Sequence, residues 1–309
     1  MGRALQLPGA NSTLKANPKL SVRKGAFTYN VEAHDEKQTY TVTDGTHTIS
    51  LPIQWSFGVG MQTWVLEREG QFYESLVSFF PQVGGLDTTL GDERLTPTKL
   101  DEAFGRLLTQ KDVKDCFGCH SSNSAPNGTL NLKALKPGVT CEHCHAGASS
   151  HMVDAIQGQL DSAPPDLKKL VSEDVSNFCG QCHRTWDTVV RGRMLGEVNV
   201  RFQPYRLANS KCYDGTDPRI SCIACHDPHK DLVRQSASYD SNCLACHGTS
   251  SGSVAALISS TSRAPAKTCP VAKANCASCH MPKVKPAGGH ITFTDHQIRI
   301  VKAGEPYPN

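Results

Sequence analysis

The chain has 309 residues, 38% of them hydrophobic, 6% aromatic and 20% charged, with a formal net charge of +3. That length allows one large domain or two ordinary ones, and so small a charge gives no footprint for a nucleic-acid partner. No uninterrupted apolar run reaches the roughly 18 residues of a spanning helix, so no membrane span is predicted.

Residues 1–24 read as polar and irregular. The opening Met1-Gly-Arg-Ala-Leu-Gln-Leu-Pro8 lacks the apolar stretch of a secretory signal. From Ala26 to about Val83 the texture changes to short alternating runs rich in aromatic and β-branched residues. They are Phe27–Val31, Thr39–Val42, Thr46–Ser50, Gln62–Leu66 and Phe72–Ser75. Asp44-Gly45 and Glu69-Gly70 mark hairpin turns, so the segment predicts an antiparallel β-meander of about four to six strands. Gly58-Val-Gly60 predicts a tight bend or a close backbone approach. Leu100–Leu108 has the spacing of a short amphipathic helix. Farther on, polar connectors rich in Pro, Gly and Ser alternate with weak helical patterns at Met152–Leu160, Leu167–Asp174 and Thr185–Leu195.

One pentapeptide, Cys-x-x-Cys-His, is written six times. The copies begin at Cys116, Cys141, Cys179, Cys222, Cys243 and Cys276. Their second cysteines are Cys119, Cys144, Cys182, Cys225, Cys246 and Cys279, and their histidines are His120, His145, His183, His226, His247 and His280. Two thiols at this spacing reach the two vinyl groups of one porphyrin edge, and the next imidazole turns under the iron as proximal ligand. A single copy could be half a zinc site or a redox pair. Six copies that all carry the histidine read as six covalent c-type haems. The expected fold is therefore a mostly α-helical and irregular multihaem domain over residues 96–309, organised by its haems. A β-rich subdomain with an irregular leader precedes it over residues 1–95, giving an α+β chain overall. Each oxidised bis-His haem adds roughly −1, which carries the net charge to about −3.

Twelve of the fourteen cysteines belong to these motifs, leaving Cys212 and Cys269. Covalent haem attachment takes place on the oxidising side of the bacterial inner membrane. This predicts an exported, periplasmic or extracellular protein whose N-terminus has been processed or truncated. In that compartment Cys212 and Cys269 are expected to pair, for about 4 kcal/mol in the chain-entropy model. Two unpaired thiols are the alternative.

Seven histidines lie outside the proximal positions: His34, His47, His143, His151, His229, His290 and His296. Bis-His iron at all six haems needs six of them. His229, three residues after His226, lies on the same side as that proximal ligand and must serve another haem. His143 sits between its own tethering cysteines and is likewise barred from that iron. His151 follows a flexible step, and His290 and His296 sit on a tail able to fold back. Those five leave one iron short, so His34 or His47 from the β-meander, a Met, or a second chain supplies the sixth ligand, or one face stays open.

Cys141-Glu-His-Cys-His145, Cys222-Ile-Ala-Cys-His-Asp-Pro-His229, Cys276-Ala-Ser-Cys-His-Met-Pro-Lys283 and Phe293-Thr-Asp-His296-Gln-Ile-Arg299 together resemble the multihaem cytochrome c-554 / c-552 family, over roughly residues 100–300. The resemblance implies distal roles for His229 and His151. The leading expectation is electron transfer in a respiratory or extracellular chain, with redox partner proteins or chain-to-chain haem contacts. A multihaem oxidoreductase acting on a small nitrogen or sulfur species at one open haem is the alternative. Such a haem would want distal groups like Tyr205, Arg206, Lys211 and Tyr213, whose ordinary reading is surface residues. A filament subunit that donates a histidine to its neighbour is the third reading.

Overall fold

The computed structural model describes residues 1–125, 129–159, 166–248 and 268–308. The chain divides at 165/166 rather than at 95/96. One unit is Met1–Pro165 with Gly288–His290, and the other is Asp166–Ala287 with Ile291–Asn309.

In the first unit, residues 1–24 are ordered rather than irregular. They form β1 (Leu5–Gln6), α1 (Ser12–Ala16) and β2 (Lys19–Lys24). The cause is long-range. Asn11 caps α1, and its side-chain amide donates to Gln38, Ser56 and Gln62 inside the fold. The β-rich segment continues with β3 (Phe27–His34), β4 (Lys37–Thr43), β5 (Thr48–Pro52), β6 (Trp55–Phe57), β7 (Thr63–Arg68), β8 (Gln71–Ser75), β9 (Val77–Phe80) and β10 (Gly85–Thr88). It is not one meander. Strands β2-β3-β4-β5 make one antiparallel sheet, β9 and β10 pair as a hairpin, and β1-β6-β7-β8 belong to a second sheet. Both expected turns are present, with Glu69 and Gly70 each at positive φ, as a two-residue hairpin turn requires. Gly58 makes the expected bend: its φ is +106°, and a Cβ there would lie 2.3 Å from the Met61 carbonyl oxygen.

The predicted helix at 100–108 is cut short. Helix α2 (Leu100–Phe104) stops at Gly105, and β11 (Gly105–Leu107) pairs with β8 to close the five-stranded sheet. A Cβ on residue 105 would sit 2.7 Å from the Glu74 carbonyl oxygen, so only glycine lets the strands approach this closely.

Two apolar cores hold this unit. One gathers Tyr29, Tyr40, Trp64 and Phe104 between the sheets. The other gathers Leu5, Trp55, Phe57, Val65 and Leu108 with Val113 and Phe117 of α3 (Gln110–His120). Helix α3 starts on a capping box in which Thr109 and Asp112 bond reciprocally. Strands β12 (Ser121–Ser122) and β13 (Lys136–Pro137) then pair and lead to α4 (Cys141–Cys144) and α5 (Ala148–Ile156). The helical pattern expected through Leu160 thus ends at Ile156, and Leu160 itself lies outside the described residues.

The second unit is built from short helices: α6 (Ser172–His183), α7 (Trp186–Arg191), α8 (Gln203–Ala208), α9 (Cys222–Cys225), α10 (Asp240–His247) and α11 (Cys276–His280). A small hairpin of β14 (Lys283–Val284) and β15 (Phe293–Thr294) joins α11 to the C-terminal tail. Beyond residue 120, the buried apolar side chains among the described residues, prolines aside, are Val175, Val189, Val200, Tyr205 and Leu207.

One consequence for the first unit is testable. Asp92 is buried, accepts from Arg106 Nε at 3.2 Å, and keeps Oδ2 without a hydrogen bond. Burial, and then repulsion from Glu74, push its carboxyl up to about 6. A carboxyl raised in the folded state contributes stability that is complete below its unfolded value near 4 and is lost as pH rises through about 6. Asp92→Asn keeps an acceptor for Arg106 but cannot ionise. The variant is expected to melt later than wild type at pH 7, by about 1–2 kcal/mol, and to lose the decline between pH 4 and 6. Parallel wild-type and variant melting curves across that window would refute this.

Candidate haem-attachment site

All six motifs fall on helical turns. The first closes α3 and the third closes α6, while the second, fourth, fifth and sixth make up or end α4, α9, α10 and α11. At 3.6 residues per turn, the paired cysteines share one helix face and the histidine follows one turn on. None of the twelve cysteines is buried. The thiols therefore sit where a group outside the polypeptide core can bond to them. Among the described residues, no three His, Cys, Asp or Glu side chains converge as a bare metal site.

Several imidazoles have one ring nitrogen held by a backbone carbonyl. His120 Nδ1 lies 3.0 Å from the Ala4 carbonyl oxygen, and His280 Nδ1 lies 2.9 Å from that of Arg299. A carbonyl can only accept, so in each ring Nδ1 is the donor and Nε2 is the nitrogen left to face an iron. The β-rich region orients the first of these rings, with Phe57 edge-on to His120 at 5.3 Å. His226 is placed by Tyr239, edge-on at 5.3 Å. Burial pushes the pKa of both His120 and His226 down, favouring neutral rings.

The candidate distal histidines divide sharply. His296 has the same preparation as His120 and His280: Nδ1 donates to the Thr294 carbonyl at 3.0 Å, and its ring centroid is 6.2 Å from that of His226. Burial lowers its pKa to about 4. His290 falls in the first unit, where Nε2 bonds Asp87 at 2.5 Å and the ring meets Phe80 edge-on. Burial opposes ionisation of Asp87, but Lys24, the Thr88 amide and His290 outweigh it and hold that carboxyl down at about 2. His229 is three-quarters exposed beside Asp227. His47 is three-quarters exposed in the β4–β5 turn beside Asp44, and His34 is exposed at the end of β3. His151 lies on α5, whose Met152, Val153 and Ile156 are exposed, and His143 lies on α4.

The expected Cys212–Cys269 disulfide is not formed in the structure. Cys212 lies close enough to Cys225 and Cys243 to disfavour their thiolates, whereas the Cys269 sulfur accepts from the Ala272 and Val271 amides of its own loop. Tyr205 and Arg206 are not surface residues either; both are buried. Tyr213 bonds the Ser176 hydroxyl at 3.4 Å, and Lys211 is exposed. What sequence reasoning missed is the role of Arg206. Its guanidinium grips Asp295, the residue before His296. The only available signal was an acidic residue beside a candidate ligand.

Within the second unit, α6, which ends on the third motif, packs on α9, which carries the fourth, and α10, which ends on the fifth, packs on α11, which carries the sixth. In the first unit, β12 and β13 connect the first motif to the second, and the Thr140 amide before Cys141 bonds Ser122.

Residues 93–146, which take in the first two motifs, match the family model described as cytochrome c554 and c-prime. Over that span the match supports a c-type cytochrome, a protein of covalently bound haem that takes part in electron transfer. Searches of curated proteins and of solved structures returned no match. The residues present fit haem c: paired thiols on helical turns, none of them buried, imidazoles whose Nδ1 is held by a backbone carbonyl, and a second unit with few buried apolar side chains among its described residues.

Proposed function

We propose that the chain is a hexahaem c-type cytochrome that conducts electrons outside the cytoplasm, in a periplasmic or extracellular respiratory chain. What supports this reading is the sixfold Cys-x-x-Cys-His motif, each copy on a helical turn, with α6 packed on α9 and α10 packed on α11. Haems held by cysteines on helices packed in this way would lie near one another and would supply a path for electrons along the second unit. The protein's own part in this is positional. Helical turns aim the thiols, backbone carbonyls fix the histidine tautomers, and the surrounding chain limits solvent. Haem supplies the redox chemistry, and imidazole ligation favours lower potentials than His/Met ligation. Among the described residues no helix is long and apolar enough to cross a membrane. The second sphere also limits the oxidoreductase alternative, since Arg206 is fully engaged in structural contacts.

Mass spectrometry of the intact protein tests the proposal. Six haem additions to the polypeptide are expected, and four or fewer would break the reading at its base.

A further inference from the structure

We propose that the buried Arg206–Asp295 pair is a positioning device for two haem-ligand histidines, His296 and His280; this rests on the reading that both bind iron. Arg206, on α8, has no exposed surface, and all five of its N–H groups are engaged. Nε and Nη2 fork onto the two oxygens of Asp295 at 2.8 and 2.9 Å. Nη1 reaches Asn199 Oδ1 at 3.3 Å and the Pro308 carbonyl at 2.7 Å, and Nη2 also reaches Gln297 Oε1 at 2.7 Å. The Tyr307 ring covers the guanidinium at 4.5 Å. Every acceptor except Asn199 belongs to the C-terminal tail.

That tail carries both histidine contacts. Asp295 also accepts from the Gln297 amide and from Arg299 Nη1, so one carboxylate folds residues 295–299 into a fixed turn. His296 stands inside the turn. Its carbonyl accepts from Ser210 Oγ at 3.1 Å, and the Ile298 amide donates to the same hydroxyl at 2.8 Å. At the turn's far end the Arg299 carbonyl accepts from His280 Nδ1 at 2.9 Å, while the Arg299 amide donates to the His280 carbonyl at 3.2 Å. One bidentate pair thus sets the ring plane of His296 and the tautomer of His280. A buried ion pair is weak evidence for stability, and fixing one geometry is its better-attested use. Lysine cannot reproduce the planar fork.

Low-temperature EPR of the oxidised holoprotein, with haem content counted by mass, tests the proposal. His296→Ala is expected to convert one haem from low to high spin without loss of haem, because thioether bonds persist. Arg206→Lys keeps the charge but loses the fork, and is expected to produce the same high-spin signal at up to one haem per chain. A silent His296→Ala would show that His296 binds no iron, and the inference would fall with its premise. A conversion in His296→Ala beside an unchanged spectrum in folded Arg206→Lys would overturn the positioning role alone. Should Arg206→Lys fail to fold, Gln297→Ala removes one guanidinium contact without stranding a charge. It is expected to shift the g-values of the same low-spin haem. An unshifted spectrum there would assign the pair to stability only and overturn the proposal.

Discussion

Expressed without covalent haem, the chain is expected to lose the second unit while the sheets of the first persist. The contrast is one of cores. The first unit buries Tyr29, Tyr40, Trp64, Phe104 and Phe117 in two apolar clusters braced by nine-stranded pairing in two sheets. The second buries Val175, Val189, Val200, Tyr205 and Leu207 among its described residues, and leaves Trp186, Leu195, Leu232 and Ile300 substantially exposed. Each ordered backbone residue costs about 1–2 kcal/mol of conformational entropy. So few apolar side chains cannot offset that over the described residues of this unit. Porphyrin faces are the missing apolar surface. Peptide-resolved hydrogen exchange on the haem-free chain should show strands β3 and β4 protected and helices α6 to α11 exchanging at nearly unfolded rates. Protection of α6 and α8 equal to that of β3 would mean the polypeptide holds this unit without haem.

On the proposed hexahaem reading, removing the haem of the fourth motif is expected to cut the conduction path. In the second unit α9, which carries the fourth motif, packs on α6, which ends on the third, and the fourth stands between the third and the fifth in the chain. Cys222→Ala with Cys225→Ala should leave one haem fewer by mass. After rapid sub-stoichiometric reduction, wild type should redistribute electrons among its haems in one fast phase. The double variant should show a fast phase of reduced amplitude and a much slower second phase, because the remaining haems are divided by the gap. An unchanged single phase, in a variant confirmed to lack that haem, would show that the fourth haem is a branch and not a link.

The parts of this protein that the sequence alone determined are those in which cause and effect lie within one turn of chain. Cysteines three apart with a following histidine need only a helical turn to share a face, and each motif received one. Glu69-Gly70 needed only two residues able to take positive φ, and the hairpin formed there. The tertiary structure decided whatever depends on partners far away in sequence. Gly105 looked like part of a helix until the Glu74 carbonyl required a residue without a side chain. Residues 1–24 looked irregular because Asn11 finds Gln38, Ser56 and Gln62 only after the sheets assemble. His34, His47 and His229 are exposed while His296 is half-buried beside His226, a difference that their local sequence does not record. Arg206 read as a surface charge because its carboxylate partner is 89 residues away. Burying a charge is tolerated only when distant groups satisfy it, and no local pattern records where those groups will be.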